Sequence, residues 1–309
     1  MVNMAVKIGS LTLKNPILPG SGCFSDEMDR VYDVSQLGAL VAKSIEITPR
    51  EGNPVPRVAE TPQGMLNSIG LPTFGVPYFF EKQLPGYLRF GIPVIVSVSA
   101  ANIEEFALIC EQVSLPEIAG IEVNISCPNK EEGGRAFAMT ADTTHRVMKA
   151  IRGATSKPVW AKLTPNTADI AEVAVAAQEA GADALVVCNT FLGMAIDTET
   201  FRPKLGNITG GLSGPAIKPI VVRMVYQCAQ AVRIPIIASG GVMNALDVVE
   251  FLAAGATAAE VGTANFLEPS VMPTIIADLR TYCEKRGIAN VSDLIGRTLR
   301  SEPAATLVA

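Results

Sequence analysis

The chain has 309 residues and a formal net charge of −5, and 49% of its residues are hydrophobic while 18% are charged. The length suits either two domains or one α/β barrel, and the composition is typical of a soluble protein with a large core. No basic run is present, which argues against nucleic acid or a membrane surface as a partner. The N-terminus does not resemble a signal peptide, and no apolar run reaches the length of a membrane span, so we expect a cytoplasmic protein.

Six cysteines are scattered along the chain without a C-x-x-C pair, at positions 23, 110, 127, 188, 228 and 283. This spacing argues against a zinc site and against an iron–sulfur cluster held within this chain, so no metal site is predicted. Free thiols are typical of the reducing cytosol. Cys110, Cys228 and Cys283 lie in helical patterns and are predicted to be small buried residues.

The order of short apolar segments predicts the fold. Residues 6–13 alternate around Gly9-Ser10 and predict a small N-terminal hairpin. Eight apolar strands are then predicted, at Pro16–Pro19, Ala39–Lys43, Pro93–Val98, Gly120–Ile125, Pro158–Leu163, Ala184–Cys188, Pro235–Ala238 and Ala258–Val261. Strands without polar alternation are typical of a parallel sheet that is covered by helices.

Helical patterns separate these strands. Asn102 and Asn244 are predicted N-caps, Gly181 and Gly255 follow predicted helix ends, and Pro215 suits a first helical turn. Eight strand–helix units predict a (β/α)8 TIM barrel, and a doubly wound open sheet is the alternative.

No composition break marks a second domain, so residues 1–309 are predicted to form a single barrel domain. Two connections are too long for simple loops, after strand two (Ser44 to Val76) and after strand six (Thr190 to Ser213). Long ordered insertions in a compact domain are usually functional, and both are expected to cover the C-terminal face of the barrel.

Two lysines are predicted at strand ends. Lys43 ends strand two and Lys162 ends strand five, each within an apolar context. Burying a lysine is costly unless it meets an anion, although each could also extend to solvent. Their equivalent positions favour a site in which they neutralise a phosphate, a carboxylate or a reduced flavin.

Glycines follow the last two predicted strands. Ser239-Gly240-Gly241 follows strand seven and Gly262-Thr263 follows strand eight, while Gly214 precedes Pro215. The loops after strands seven and eight of a barrel commonly bind phosphate through backbone N–H groups, and glycine allows a close approach. This pattern predicts a phosphate site on either substrate or cofactor.

Neutral amides and one cysteine complete the predicted site. Asn67, Asn124 and Asn189 suit a planar ligand with alternating C=O and N–H edges, although single loop asparagines often only shape turns. Cys127 follows a strand end in a polar segment, which is typical of a catalytic loop rather than a core. His145, the only histidine, is predicted at the surface of a helix, so a Ser-His-Asp triad has little support.

Together these motifs resemble the dihydroorotate dehydrogenase family, over nearly the whole chain. The matching segments are Asn124–Asn129, Asn67–Leu71, Ala42–Ser44, Ala161–Leu163, Asn189-Thr190 with Gly193–Asp197, Gly211–Pro215, Ser239–Val242 and Gly262-Thr263. A cysteine base, rather than serine, resembles the soluble class I enzymes. Residues 130–134 are similar to the NAD-linked branch, class IB, rather than to the fumarate-linked one.

The resemblance implies FMN-dependent oxidation of dihydroorotate to orotate in pyrimidine (UMP) biosynthesis, with one FMN per chain. Cys127 would remove the C5 proton while the C6 hydride passes to flavin N5. Lys43 would contact both flavin and the orotate carboxylate, and Lys162 would stabilise negative charge at the N1/O2 edge of reduced FMN. These three residues are the implied catalytic group.

The resemblance also implies two binding sets. The substrate set is Lys43, Asn67, Ser68, Ile69, Gly70, Leu71, Asn124, Asn189 and Thr190. The set around FMN and its phosphate is Ser21, Lys43, Ser44, Ser97, Asn124, Lys162, Cys188, Gly214, Gly240, Gly241, Gly262 and Thr263. The chain departs from the family pattern at residues 25–27, at Ser97, where the family commonly has asparagine, and at residues 72–74.

The implied partners follow from the branch. The resemblance implies a homodimer, or a heterotetramer with a subunit that carries FAD and a [2Fe-2S] cluster. Three alternative functions remain at the level of sequence. They are a related flavoprotein acting on another dihydropyrimidine, a Schiff-base lyase with Lys162 as nucleophile, and a non-catalytic flavin-binding subunit.

Overall fold

An eight-stranded parallel sheet forms the centre of the structure. The structure is a computed structural model, and it describes residues 2–126 and 136–301. The strands are β1 (Val6–Ile8), β2 (Leu11–Leu13), β3 (Ile17–Pro19), β4 (Leu40–Val41), β5 (Val58–Thr61), β6 (Gly64–Asn67), β7 (Val94–Val98), β8 (Gly120–Val123), β9 (Val159–Lys162), β10 (Ala184–Val187), β11 (Phe191–Met194), β12 (Thr209–Ser213), β13 (Ile236–Ser239) and β14 (Ala258–Val261).

Helices cover the outside of this sheet. The α-helices are α1 (Gly75–Tyr78), α2 (Leu84–Leu88), α3 (Ile103–Gln112), α4 (Ala141–Ala154), α5 (Ile170–Glu179), α6 (Lys218–Ala231), α7 (Ala245–Ala254), α8 (Ala264–Leu267), α9 (Val271–Lys285) and α10 (Arg297–Ser301). A π-helical segment (Phe79–Gln83) joins α1 to α2. Short 3-10 helices lie at Asp26–Arg30, Val34–Gln36, Phe137–Met139, Pro215–Ile217 and Val291–Leu294.

The parallel strands follow one another around a barrel in chain order. The order is β3, β4, β7, β8, β9, β10, β13 and β14, with β14 paired to β3. Between β3 and β4, the Gly38 N–H donates to the Ile17 carbonyl at 2.9 Å, which brings the two end strands together. The predicted (β/α)8 TIM barrel is therefore confirmed, and the open-sheet alternative is wrong.

The predicted elements recur with small shifts. All eight barrel strands form, but β4 is only two residues long, so Lys43 follows the strand instead of ending it. Asn102 and Asn244 cap α3 and α7 through their side chains, and His145 is exposed on α4. The helical cysteines 110, 228 and 283 are buried, as predicted, in α3, α6 and α9.

The N-terminal hairpin is confirmed as β1 and β2, and it covers the bottom of the barrel. Ile8 and Leu13 are fully buried. A side chain placed on Gly9 would meet Asp183, just before β10, and one on Gly120 at the start of β8 would meet Leu11. The hairpin therefore lies across the N-terminal ends of the strands, opposite the end at which barrels place their chemistry.

The two insertions build one further sheet. β5 and β6 come from the insertion after β4, and β11 and β12 come from the one after β10. They form an antiparallel sheet in the order β11, β12, β6, β5, in which Asn67 of β6 pairs with Gly211 of β12. This sheet fixes the position of residues 67–71 relative to the second half of the barrel.

Candidate active site

The polar side chains predicted from sequence gather at the C-terminal ends of the barrel strands. Lys162 is the last residue of β9, Asn124 directly follows β8, and Asn189 lies two residues beyond β10. Parallel strands bring their carboxyl ends to one face of a barrel, so these groups converge although 65 residues separate the two asparagines in the chain.

Asn124 and Asn189 form a direct hydrogen-bonded cluster. The Asn189 side-chain amide donates to Asn124 Oδ1 at 3.3 Å and to Ser126 Oγ at 2.7 Å, and Ser126 Oγ donates to Asn124 Oδ1 at 2.5 Å. Thr190 continues this cluster, because its N–H donates to Asn189 Oδ1 at 2.7 Å. The side chains therefore have fixed orientations, as a site for a planar polar ligand requires.

Lys43 contacts the segment that directly follows the predicted substrate residues Asn67–Leu71. Its Nζ donates to the carbonyl of Pro72, one residue after Leu71. Burial lowers the pKa of Lys43 from its ordinary value, and the carboxylate of Glu46 opposes that shift. The side chain is half-buried, so a bound anion would restore the charge that burial disfavours.

The loop from Asn67 to Leu71 is held from both sides. The Asn67 side-chain amide donates to the Gly211 carbonyl at 3.3 Å, and the buried Ser68 hydroxyl accepts from the Asn53 amide at 2.8 Å. The Asn53 N–H also donates to the Ile69 carbonyl at 3.0 Å. Gly70 lies so close to Asn53 that a side chain there would clash, and its φ is +80°.

Thr190 and Gly211 bring the two parts of the predicted substrate set into contact. A Cβ on Gly211 would fall 1.9 Å from the Thr190 hydroxyl, so this strand position must be glycine. Since Gly211 also accepts the hydrogen bond from Asn67, the Asn124–Asn189 cluster and the Asn67–Leu71 loop share one wall.

Lys162 lies in a cluster of three buried charged side chains. Its Nζ is 2.9 Å from Glu260 Oε2 on β14, and 3.4 Å and 3.5 Å from the two carboxyl oxygens of Glu122 on β8. Lys162, Glu122 and Glu260 are 6%, 0% and 1% exposed. Lys162 therefore does not extend to solvent, which decides between the two interpretations drawn from sequence.

The electrostatics of this cluster favour a charged lysine. Burial alone would lower the pKa of Lys162, but the carboxyl groups of Glu122 and Glu260 outweigh burial and raise it. Burial first, and then the charge of Glu260, raise the pKa of Glu122 to about 8, although Lys162 and Ser97 oppose this. Lys162 thus stays an ammonium ion beneath the site.

A chain of serine hydroxyls joins this cluster to the asparagines. Ser97 Oγ donates to Glu122 Oε1 at 2.9 Å, and the hydroxyls of Ser97 and Ser44 are 2.8 Å apart. Ser44 Oγ lies 3.2 Å from Ser21 Oγ and accepts from the Asn124 amide at 3.4 Å. Of the predicted flavin residues, Ser21, Ser44 and Ser97 thus lie in one network with Asn124.

The glycine loops after β13 and β14 are adjacent. The two strands pair in parallel, so Gly240 and Gly241 lie beside Gly262, and Thr263 Oγ1 donates to Ser213 Oγ, next to Gly214, at 2.8 Å. Gly241 has a φ of +81°, and a Cβ there would sit 2.6 Å from Lys218 Cβ.

The chemistry of these loops fits a phosphate. The N–H groups of Gly240, Gly241 and Gly262 donate to no backbone carbonyl within residues 2–126 and 136–301. Three such donors on neighbouring turns, beside two hydroxyls, fit an anion such as the phosphate of FMN.

The two cysteines of the predicted site differ in where they lie. Cys188 is buried just after β10, and burial raises the pKa of its thiol. Cys127 and the polar segment that follows it, residues 128–135, lie outside the described residues. The role of Cys127 therefore stays a prediction.

Sequence reasoning missed Glu122, Glu260 and Asn53. Both glutamates stand inside apolar strands, at Gly-Ile-Glu-Val and Ala-Ala-Glu-Val. The cost of burial that singled out the two lysines applies equally to a carboxylate, so that signal was present. Asn53 carried no such signal, because loop asparagines are common.

Comparison with known proteins gives a consistent family. The sequence model of the family described as dihydroorotate dehydrogenase matches residues 3–282. The chain is 48% identical over 304 residues to the dihydroorotate dehydrogenase B (NAD(+)) catalytic subunit of Geobacillus kaustophilus, covering 97% of both chains. It is 47% identical to the protein of that name from Bacillus caldolyticus, with the same coverage. It is 46% identical to that of Geobacter sulfurreducens, covering 95% of this chain and 97% of the relative.

The match to this family identifies an oxidoreductase that uses a flavin. The chain belongs to the dihydroorotate dehydrogenase family, and the relatives above bear the name of its NAD-linked class IB branch. The resemblance inferred from the sequence motifs is thereby confirmed. Among the residues that the structure describes, no helix is long and apolar enough to cross a membrane.

Proposed function

We propose that the chain oxidises dihydroorotate to orotate in pyrimidine biosynthesis, with one FMN per chain as the cofactor. The observation that carries the proposal is the convergence of Asn124 and Asn189 with Lys43 and the Asn67–Leu71 loop on one face of the barrel. Amides suit the alternating C=O and N–H edges of a pyrimidine ring, and Lys43 suits its carboxylate.

Each of these residues has a proposed role in the reaction. Asn67, Ser68, Ile69, Gly70, Leu71, Asn124, Asn189 and Thr190 would orient the ring, with Lys43 on the carboxylate. Cys127 would accept the C5 proton, while FMN supplies the N5 position that takes the C6 hydride. Positioned groups contribute to catalysis by holding the ring in one fixed geometry, from which both the proton and the hydride can be removed.

The cofactor would lie over Lys162 with its phosphate in the glycine loops. The donors there are the backbone N–H groups of Gly240, Gly241 and Gly262, together with Gly214 and Thr263. Ser21, Ser44, Ser97 and Cys188 would line the cofactor site. Lys162 would balance negative charge at the N1/O2 edge, because its ammonium stays protonated.

The alternative functions have weaker support. A Schiff-base nucleophile must be an uncharged amine, whereas the raised pKa of Lys162 keeps it charged. Oxidation of another dihydropyrimidine would use the same barrel, but Lys43 would then have no carboxylate to neutralise. A purely flavin-binding subunit would not need the fixed amides of the substrate set.

We also propose the partners and the setting. The relatives are named catalytic subunits of an NAD(+) enzyme, so we propose that electrons leave this chain through a second subunit with FAD and a [2Fe-2S] cluster. The outward side chains of β11, Leu192 and Met194, are exposed and apolar, which supports contact with another chain, including a second copy in a homodimer. The described cysteines are free thiols, which supports a cytoplasmic setting.

An anaerobic visible spectrum of the purified protein tests the function. We expect a flavin absorption band that bleaches on addition of dihydroorotate, because the ring and its carboxylate both find partners in the site. Dihydrouracil, which lacks the carboxylate, is the matched control and should bleach the band much more slowly. Bleaching by dihydrouracil alone would favour the alternative that the enzyme oxidises another dihydropyrimidine. The absence of a flavin band after reconstitution with FMN would contradict the proposal.

The lowered pKa of Lys43 predicts a pH dependence of orotate binding. Orotate affinity should be constant while Lys43 is protonated and should fall as pH rises through its pKa, which burial lowers from the ordinary value of a lysine. Lys43→Gln should bind orotate about 10- to 100-fold more weakly at neutral pH, the loss of one charged hydrogen bond, and should lack this pH dependence. Flavin fluorescence titration measures both.

The control for this experiment is Lys82→Gln, which changes an exposed lysine paired with Glu81. It should bind orotate as the wild type does. If Lys43→Gln kept wild-type affinity at all pH values, Lys43 would have no role in holding the carboxylate.

A further inference from the structure

The cluster of Lys162, Glu122 and Glu260 holds more carboxyl groups than cations. With both carboxyl groups ionised, it would carry a net negative charge inside the barrel, where Glu122 and Glu260 are fully buried. An uncompensated buried charge is costly, and such groups take up a proton instead. One additional proton would make the cluster neutral while Lys162 stays charged.

The distances indicate which carboxyl group is charged. Lys162 Nζ is 2.9 Å from Glu260 but at least 3.4 Å from either oxygen of Glu122. The closer ion pair places the negative charge on Glu260. Glu122 is then the better place for a proton.

The hydrogen bonds agree with this distribution. Ser97 donates to Glu122 Oε1, so that oxygen acts as an acceptor and the proton belongs on Oε2. Glu260 Oε1 is buried, and no described residue donates a hydrogen bond to it. A proton held between the two carboxyl groups would supply the donor that this oxygen lacks.

The other titratable groups near the cluster do not compete for this proton. Lys162, on β9, lies beside the two carboxyl groups, and Cys23 lies near them in the loop after β3. Burial raises the pKa of the Cys23 thiol to about 11, while Cys188 beyond β10 also has a raised pKa because of burial. Both thiols therefore stay protonated at neutral pH, and Glu122, with a pKa raised to about 8 by burial and Glu260, is the group that titrates.

We propose that Glu122 and Glu260 share a single proton, so that the cluster they form with the charged Lys162 is electrically neutral beneath the cofactor position. Glu122 and Glu260 are thus positioning residues that act through Lys162. The link to the cofactor rests on the function proposed above, whereas the shared proton does not.

The shared proton has a consequence for flavin reduction. Reduction places negative charge near Lys162, and negative charge makes the carboxyl pair hold its proton more firmly. At a pH above about 8, where the oxidised protein has lost this proton, reduction should draw it back from solvent. The proton taken up by the carboxyl pair would then offset part of the negative charge at the cofactor position.

Infrared spectroscopy of the purified protein tests the shared proton directly. We expect the carbonyl band of a buried protonated carboxyl group at neutral pH, which disappears as the pH rises through about 8. Glu122→Gln and Glu260→Gln should each abolish the band, because the remaining carboxylate then forms a simple ion pair with Lys162. Glu268→Gln, which changes an exposed side chain bonded to Ser270, should leave it unchanged.

Two results would overturn the proposal. A wild-type protein without the band at neutral pH would mean that both carboxyl groups are ionised. A band that survives in either Gln variant would mean that one residue holds the proton alone. The wild-type titration decides the first point even if a variant fails to fold.

A redox titration of bound FMN tests the role toward the cofactor. Above pH 8, the wild type should take up more protons per two electrons than Glu122→Gln, by as much as one, as shown by a steeper dependence of midpoint potential on pH. Equal slopes would remove the role of the pair while leaving the infrared result intact. If FMN did not bind at all, the proposed function would fail and the infrared result would still decide the shared proton.

Discussion

Replacement of Lys162 by methionine is expected to destabilise the protein by about 3–5 kcal/mol at neutral pH, as is typical when one partner of a buried ion pair is removed. The loss arises because Glu122 and Glu260 remain buried without their cation. Urea unfolding measures the free energy of unfolding, and the same variant should retain little FMN or reduce it poorly.

The pH dependence of this loss has a definite sign. The folded-state pKa of Glu122 is already raised, and removal of the lysine charge raises it further. A group of this kind stabilises the folded state below its unfolded pKa and loses that contribution as pH rises through its folded pKa. Lys162→Met should therefore be less destabilised at pH 5 than at pH 8.

Two variants control for the loss of the lysine side chain itself. The triple variant Lys162→Met, Glu122→Gln, Glu260→Gln removes all three charges and should recover much of the stability. Lys149→Met changes an exposed lysine on α4 and should alter stability by less than about 0.5 kcal/mol. A stable single variant with normal flavin content and normal reduction would rule out the role given to Lys162.

Replacement of Cys127 by serine is expected to slow flavin reduction by dihydroorotate by about 100- to 10,000-fold, the usual contribution of a general base. A serine hydroxyl is a far weaker acid than a thiol and therefore cannot serve as the same base near neutral pH. The FMN content should be unchanged, because the glycine loops and Lys162 would hold the cofactor. Anaerobic stopped-flow spectroscopy measures the rate of bleaching.

Cys110→Ala is the matched control for a thiol outside the site, because Cys110 is buried in α3 on the outside of the barrel. Its reduction rate should equal that of the wild type. Reduction of Cys127→Ser at the wild-type rate would remove the cysteine from the mechanism and leave the C5 proton to another group.

The barrel was predictable because its strands are local apolar segments. Each of the eight predicted segments forms a strand, and Asn102 and Asn244 cap their helices as expected. The insertion strands were not predictable in the same way. β5 (Val-Ala-Glu-Thr) and β12 (Thr-Gly-Gly-Leu-Ser) lack a clear apolar alternation, and the pairing of β12 with β6 joins segments that are distant in the chain.

The sequence predicted which residues belong to the candidate site but not which of them contact one another. Lys162 was identified from its position, yet its partners Glu122 and Glu260 are 40 and 98 residues away, and only the closed barrel brings them together. The Ser97 hydroxyl joins Glu122 to Ser44, a link between three different strand ends. Such non-local pairs leave no periodic signal in sequence.

The four-stranded sheet also constrains when the Asn67–Leu71 loop can form during synthesis of the chain. Asn67 of β6 bonds to Gly211 of β12, 144 residues later, so the Asn67–Leu71 loop has its partner strand only after two-thirds of the chain has been synthesised. Contacts between such distant segments carry a loop-closure cost, so we expect them to form late in folding. The first half of the barrel therefore leaves the ribosome before the Asn67–Leu71 loop has the partner strand that holds it. Because each insertion supplies half of this sheet, we expect that recombination between relatives would have to exchange both insertions together.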